Sequence, residues 1–194
     1  PRDDGGDADL MTHDLPTELL STTHAAGLDF VDYVATDPTR APDWLAIHEQ
    51  VTLTPSQRTL IEGFVRRLNV VVVSGTWCGD CVQQGPLLAR IAEASNRIDL
   101  RWVDRDEHPA LASSLRINGG DRVPVAVFMN EFFEPVSILG DRTLTRYRAI
   151  AARNLGPSCP RPGAPVPTEE LVGTLQEWLD EFERVQLLLR LSPR

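Results

Sequence analysis

Cysteine is scarce in this chain, with three in 194 residues. An odd and small count rules against a disulfide framework at this size. Basic charge is also in deficit: 19 Lys and Arg face 28 Asp and Glu, for a net charge of −9. That balance argues against nucleic-acid binding through a basic face. No run reaches the roughly 18 apolar residues that a membrane span needs. No charged, apolar, small-residue signal opens the sequence either. A cytoplasmic protein with no membrane partner is therefore the expectation.

What is present is enough apolar material for one sizeable core, 42% of residues. The acidic excess is uneven. Residues 1–18 hold Asp3, Asp4, Asp7, Asp9, Asp14 and Glu18 against Arg2 alone, which is −5 of the total. Residues 1–24 read as an acidic disordered leader, since Gly, Pro and Asp recur there without an apolar period. A helical extension follows over 25–66. LDFVDYVA and WLAIHEQV are short helical pieces, and TPSQRTLIEGFVRRL is a longer one. In the last, Thr54 suits an N-cap, Pro55 suits the first helical position, and Leu60, Ile61, Phe64, Val65 and Leu68 recur at helical spacing.

The core is expected over 67–155. LNVVVVS (68–74) is a short β-branched run ending before Gly75, the pattern of a strand buried on both faces. A helix with Pro86 inside it is expected over 79–95, a strand over 98–104 and a short helix over 108–117. VPVAVFMN and EPVSIL lie close enough to form an antiparallel hairpin, and TLTRYRAIAARN reads as a helix. A Pro-rich loop over 156–167 precedes a C-terminal helix within 168–194. A β-α-β half followed by a β-β-α half makes an α/β protein, with a mixed four-stranded sheet flanked by helices.

SGTWCGDC (74–81) falls at the junction of the first strand and its helix. There Cys78 sits at the helix N-terminus, where free N–H groups and the dipole favour a thiolate. Cys78 is thus the nucleophile, and Cys81, one turn inside, is placed to resolve a mixed disulfide. A zinc site would need four ligands, and only Cys159 and the scattered His13, His24, His48 and His108 remain. A structural disulfide here would close too small a loop to stabilise much. The redox reading prevails. Cys159 is read as a surface thiol or an additional redox partner.

WCGDC resembles the thioredoxin superfamily motif, and the likeness extends over roughly 67–155. Pro86 matches the proline of the active-site helix. Val123-Pro124 matches the dipeptide with a cis peptide that opens the third strand, and Gly140 matches the glycine before the last helix. The resemblance implies a thioredoxin-like fold and a protein disulfide oxidoreductase with Cys78 and Cys81 as catalytic residues. It makes Trp77 a shield beside the cysteines, as well as a packing aromatic, and leaves the backbone at Val123 and Pro124 for an extended substrate. Gly79, Asp80 and Arg122 are the modulating candidates. Asp80 is either a helix-start acid or a functional group, and Arg122 is either a solvated loop residue or a partner of Asp80 or of an acidic substrate. No cofactor is implied. Disulfide-containing proteins or small disulfides would be substrates, and a thioredoxin-reductase-like flavoprotein or a small thiol the electron donor. Two departures stand out. Val72 occupies the place of the family's buried Asp, and Trp102 that of its partnering Lys. They motivate the alternative of a thioredoxin-fold binding module with weak or no turnover.

Overall fold

The β-branched run forms β1 (Leu68–Ser74), and all seven of its residues are buried. The computed structural model describes residues 15–155 and 167–192. Strand β2 (Ile98–Asp104) pairs with β1 in parallel, while β3 (Val125–Met129) pairs with β1 antiparallel on the other side. The tight return to β4 (Pro135–Gly140) makes an antiparallel hairpin. The sheet order β2-β1-β3-β4 places β1 inside the sheet, which is why its run Val70 to Val73 is apolar on both faces.

Around this sheet lie α5 (Gly79–Glu93), α6 (Pro109–Ser114), α7 (Leu144–Leu155) and α8 (Thr168–Leu191). Ahead of it come α1 (Thr17–Ala26), α2 (Phe30–Ala35), α3 (Ala41–Gln50) and α4 (Pro55–Glu62). Helix α1 lies on β1 and β2 and touches α6, whereas α5 packs on α3 and α8. The link between α1 and α2 also closes one sheet edge. Leu28 exchanges both backbone hydrogen bonds with Trp102 of β2, at 2.9 and 2.8 Å, and so covers that edge at this one residue.

Several expectations need correction. The disordered leader fails from Leu15 onward: Leu15 and Leu20 join the core, and α1 starts at Thr17. The expected boundary at residue 24 falls inside that helix. His24 is buried there, with its Nε2 3.0 Å from the Asp99 carbonyl. Helix α4 has the expected Thr54 cap and Pro55 start but ends at Glu62. The Gly63 N–H turns back to Leu60 and Thr59, so Val65 is exposed and Leu68 belongs to β1. The end of α8 meets the extension across a cleft: Gln186 and Leu187 line it with Thr59, Leu60 and Phe64, and Gln186 hydrogen-bonds the Arg66 backbone, while Leu188 and Leu191 stay exposed. Cys159 and residues 156–166 of the expected Pro-rich loop lie outside the described residues.

The extension fits closely against α5. A Cβ on Gly85 would lie 2.3 Å from Cζ3 of Trp44, whose ring is fully buried. Alanine would gain about 1 kcal/mol of helix propensity, but overpacking against a fixed ring costs about 1–3 kcal/mol. Gly85→Ala is therefore expected to lose net stability, seen as a lower denaturant midpoint at unchanged slope. An unchanged midpoint would mean that α3 does not press on α5 in this way.

Candidate active site

The site forms where β1 gives way to α5. The loop between them is fixed from beneath by the N-terminal extension. Trp44 Nε1 donates to the Thr76 carbonyl at 3.1 Å, and Thr76 Oγ1 donates to Asp37 at 3.2 Å. Gly75 is required by a close approach, because a Cβ there would meet the Trp77 ring at 2.7 Å. Trp77 itself is 47% exposed, with the Arg105 guanidinium 4.7 Å from its ring centre.

Cys78 is the N-cap of α5 and Cys81 lies in its first turn. Both are free thiols, Cys78 half-buried and Cys81 fully buried. Their environments drive them apart. A hydrogen bond from the Cys81 thiol lowers the Cys78 pKa to about 6, helped by the backbone N–H groups of Cys81 and Asp80. Those effects outweigh burial and the Asp80 carboxylate, which both oppose ionisation. Burial raises the Cys81 thiol well above its ordinary value, and its bond to Cys78 and the Cys78 charge add to that. At pH 7 a thiol with a pKa about 6 is roughly nine-tenths ionised, which makes Cys78 the more nucleophilic sulfur of the two.

Across from the dithiol, the Cys78 thiol is 3.6 Å from the Val123 carbonyl. The Val123–Pro124 peptide is cis, and both residues are buried. A Cβ on Gly140 would lie 2.6 Å from the Pro124 carbonyl, so the end of β4 approaches this strand as only glycine permits. Gly79 is exposed and nothing crowds its Cβ position, so no steric demand selects glycine there.

Asp80 and Arg122 do not meet. Arg122 reaches Asp141 at 3.3 Å instead. Asp80 is held by Arg142 and by Arg146, the latter at 3.1 Å, and its side chain is only 15% exposed. Arg146 also pairs with Glu170, which Arg153 contacts as well. Although burial opposes it, Arg153 and Arg146 hold the Glu170 carboxyl below the usual carboxylate range. A chain of charges thus ties the start of α5 to α7 and α8. Gln84 adds a neutral tie: it donates to the Asp141 carbonyl at 2.9 Å and accepts from Trp178 Nε1 at 3.2 Å. Among the described residues, no group of three or more His, Cys, Asp or Glu could hold a metal ion.

The sequence matches the profile of the thioredoxin family over residues 27–150. The chain belongs to the thioredoxin family. No curated protein matches it. It is similar in structure to a protein of unknown function from Pseudomonas aeruginosa, at 14% identity and a TM-score of 0.66, over 87% of this chain and 94% of that one. An HIV epitope scaffold is similar at 15% identity and a TM-score of 0.65, over 85% of this chain and 95% of the scaffold. Mitochondrial thioredoxin 3 from Saccharomyces cerevisiae matches at 22% identity and a TM-score of 0.35, over 53% of this chain and 94% of that one. The family match over residues 27–150 makes the sheet and its helices a thioredoxin fold.

In this family member, several groups at the site were not signalled by the motif. Trp44 and Asp37 support the loop, and Arg142 and Arg146 hold Asp80. Tyr33 and Ser74 lie beside Cys81 and affect its ionisation or share its field. Only Ser74 had a sequence signal, as the polar end of an apolar strand.

The unequal thiols set a pH dependence. Above about pH 6 Cys78 is ionised, so its alkylation rate should rise with a midpoint near 6 and be flat toward 9. Cys81 should stay unlabelled through this window. A midpoint at the ordinary thiol value, or equal labelling of both, would contradict the assignment.

Proposed function

We propose that this protein is a thiol–disulfide oxidoreductase acting as a protein disulfide reductase. The observation that carries the reading is a half-buried Cys78 at the N-cap of α5 beside a fully buried Cys81, an arrangement that favours the thiolate on the first and the protonated thiol on the second. Cys78 attacks one sulfur of a substrate disulfide, whose S–S bond breaks, and the other substrate sulfur leaves as a thiolate that takes up a proton. Cys81 then loses its proton and attacks the Cys78 sulfur, which releases the second substrate thiol. Two electrons have passed to the substrate, and the protein holds a Cys78–Cys81 disulfide. A thioredoxin-reductase-like flavoprotein or a small thiol would restore the dithiol.

Trp77 and the Val123–Pro124 backbone would receive an extended segment of a disulfide-containing protein, or a small disulfide. No described helix is long and apolar enough to cross a membrane. A reducing compartment such as the cytoplasm suits a reductase whose described cysteines, Cys78 and Cys81, are both free thiols. The second reading, a binding module with weak turnover, is favoured by one observation. Val72 and Trp102 are buried where the family's charged pair would stand, so no carboxylate there receives the Cys81 proton.

Reduction of insulin with a dithiol donor separates the two readings. The wild type should accelerate it well beyond the donor alone, Cys78→Ser should abolish that gain, and Cys81→Ser should accumulate a covalent adduct on Cys78. No acceleration by the wild type would leave the binding module as the better account.

A further inference from the structure

Arg105 joins two segments that border Cys78. It follows the last residue of β2, and its backbone N–H donates to the Ser74 carbonyl at the end of β1, at 2.9 Å. Its guanidinium lies 4.7 Å from the centre of the Trp77 ring. From there Nη1 donates to the Asp121 carbonyl at 3.1 Å, two residues before Val123. Nε donates to Asp106 at 2.8 Å, and the Asp106 N–H in turn donates to the Asp104 side chain at 2.7 Å. One side chain thus ties the residue before Cys78 to the segment whose Val123 carbonyl faces the Cys78 sulfur at 3.6 Å.

An exposed arginine held by one carboxylate contributes little, because solvent screens the pair. Here a ring, a carbonyl and a carboxylate converge on a guanidinium whose side chain is only 26% exposed. A planar guanidinium can lie against a ring and still direct N–H groups outward in its own plane, which an ammonium cannot. What these contacts hold is Trp77. It is 47% exposed, whereas Trp44, Trp102 and Trp178 are buried. Gly75 lies close against it, since a Cβ there would be 2.7 Å from Cε2 of the ring. A large aromatic fixed at a surface suits the binding of another chain, because little side-chain freedom is left to lose. A Trp77 free to rotate would have to be ordered by each substrate.

We propose that Arg105 is a positioning residue that fixes the Trp77 ring and the segment from Asp121 to Pro124 at a set separation beside Cys78, and so favours disulfides carried by extended protein segments over small disulfides. This rests on the disulfide-exchange reading and narrows its substrate class. A small disulfide needs only the Cys78 sulfur. A protein disulfide brings flanking backbone and side chains that use both supports at once. Arg105 donates to neither sulfur, so its effect falls on substrate binding and not on the exchange step.

The test is single turnover of the reduced protein with excess insulin or with excess hydroxyethyl disulfide, which is small and uncharged. Samples are quenched in acid, and protein thiols are counted by mass after alkylation. In Arg105→Ala the insulin concentration at half-maximal rate should rise roughly threefold or more, with the maximal rate unchanged. The rate with hydroxyethyl disulfide should match that of the wild type. Acrylamide, a neutral quencher, should quench the fluorescence of Trp77 more strongly in that variant. Arg105→Lys, which keeps the charge but loses the planar fork, should resemble Arg105→Ala. In a Trp77→Ala background, Arg105→Ala should raise the half-maximal concentration less than it does alone. An unchanged half-maximal concentration in Arg105→Ala would overturn the proposal, as would full recovery by Lys or full additivity with Trp77→Ala. Equal slowing with both disulfides would also overturn it, since that marks a structural role. A wild type that exchanges with neither disulfide would instead defeat the disulfide-exchange reading, and this role of Arg105 with it.

Discussion

The contact between the two sulfurs is the interaction on which the rest depends. Cys81 keeps its proton because it is buried, and because it keeps it, it can donate to Cys78 and hold that sulfur ionised. Neither half works alone. A solvent-exposed Cys81 would lose its proton more easily and would give its hydrogen bond to water as readily as to Cys78, and a Cys81 turned away would leave only backbone N–H groups to lower the Cys78 pKa. Helix geometry places the sulfurs one turn apart, and the packing around α5 keeps them so. Trp44, Asp37 and Gly75 fix the loop on one side, and Val123 closes the other.

Asp80 shows how charge is managed near this contact. A carboxylate two residues from a thiolate opposes its ionisation, and that effect is present but small here. Arg142 and Arg146 compensate the carboxylate in a setting where solvent screens little. The pairing turns Asp80 from a free charge into an anchor between α5 and α7. Removing one partner of a buried pair typically costs about 3–5 kcal/mol, because the other charge is left unpaired. Asp80 is thus a structural tie as much as an electrostatic neighbour.

The parts that were legible in the sequence are those set by local pattern. The β-branched run marked β1, the apolar period of residues 168–191 marked α8, and the two short runs around residues 130–134 marked the hairpin. Position at a strand–helix junction likewise singled out Cys78 and Cys81. What escaped was tertiary. Asp80 meets its arginines 62 and 66 residues later in the chain, and no periodicity encodes that pairing. Helix α1 was hidden by the acidic composition of the segment before it, although Leu15 and Leu20 supply its buried contacts. The end of α4 was misplaced because Phe64, Val65 and Leu68 keep a helical spacing past Gly63, where the chain turns. Tyr33 read as one residue of a short helical piece, and only the fold brings it beside Cys81.

A redox titration tests most directly whether the two sulfurs act as one couple. The protein is equilibrated at pH 7 across a series of reduced and oxidised dithiothreitol ratios, and its free thiols are counted by mass after alkylation. The account predicts a single two-electron transition in which Cys78 and Cys81 disappear together, with a tenfold change in ratio for about 30 mV. A Cys78 that stays in a mixed disulfide with the buffer thiol while Cys81 remains free would contradict it.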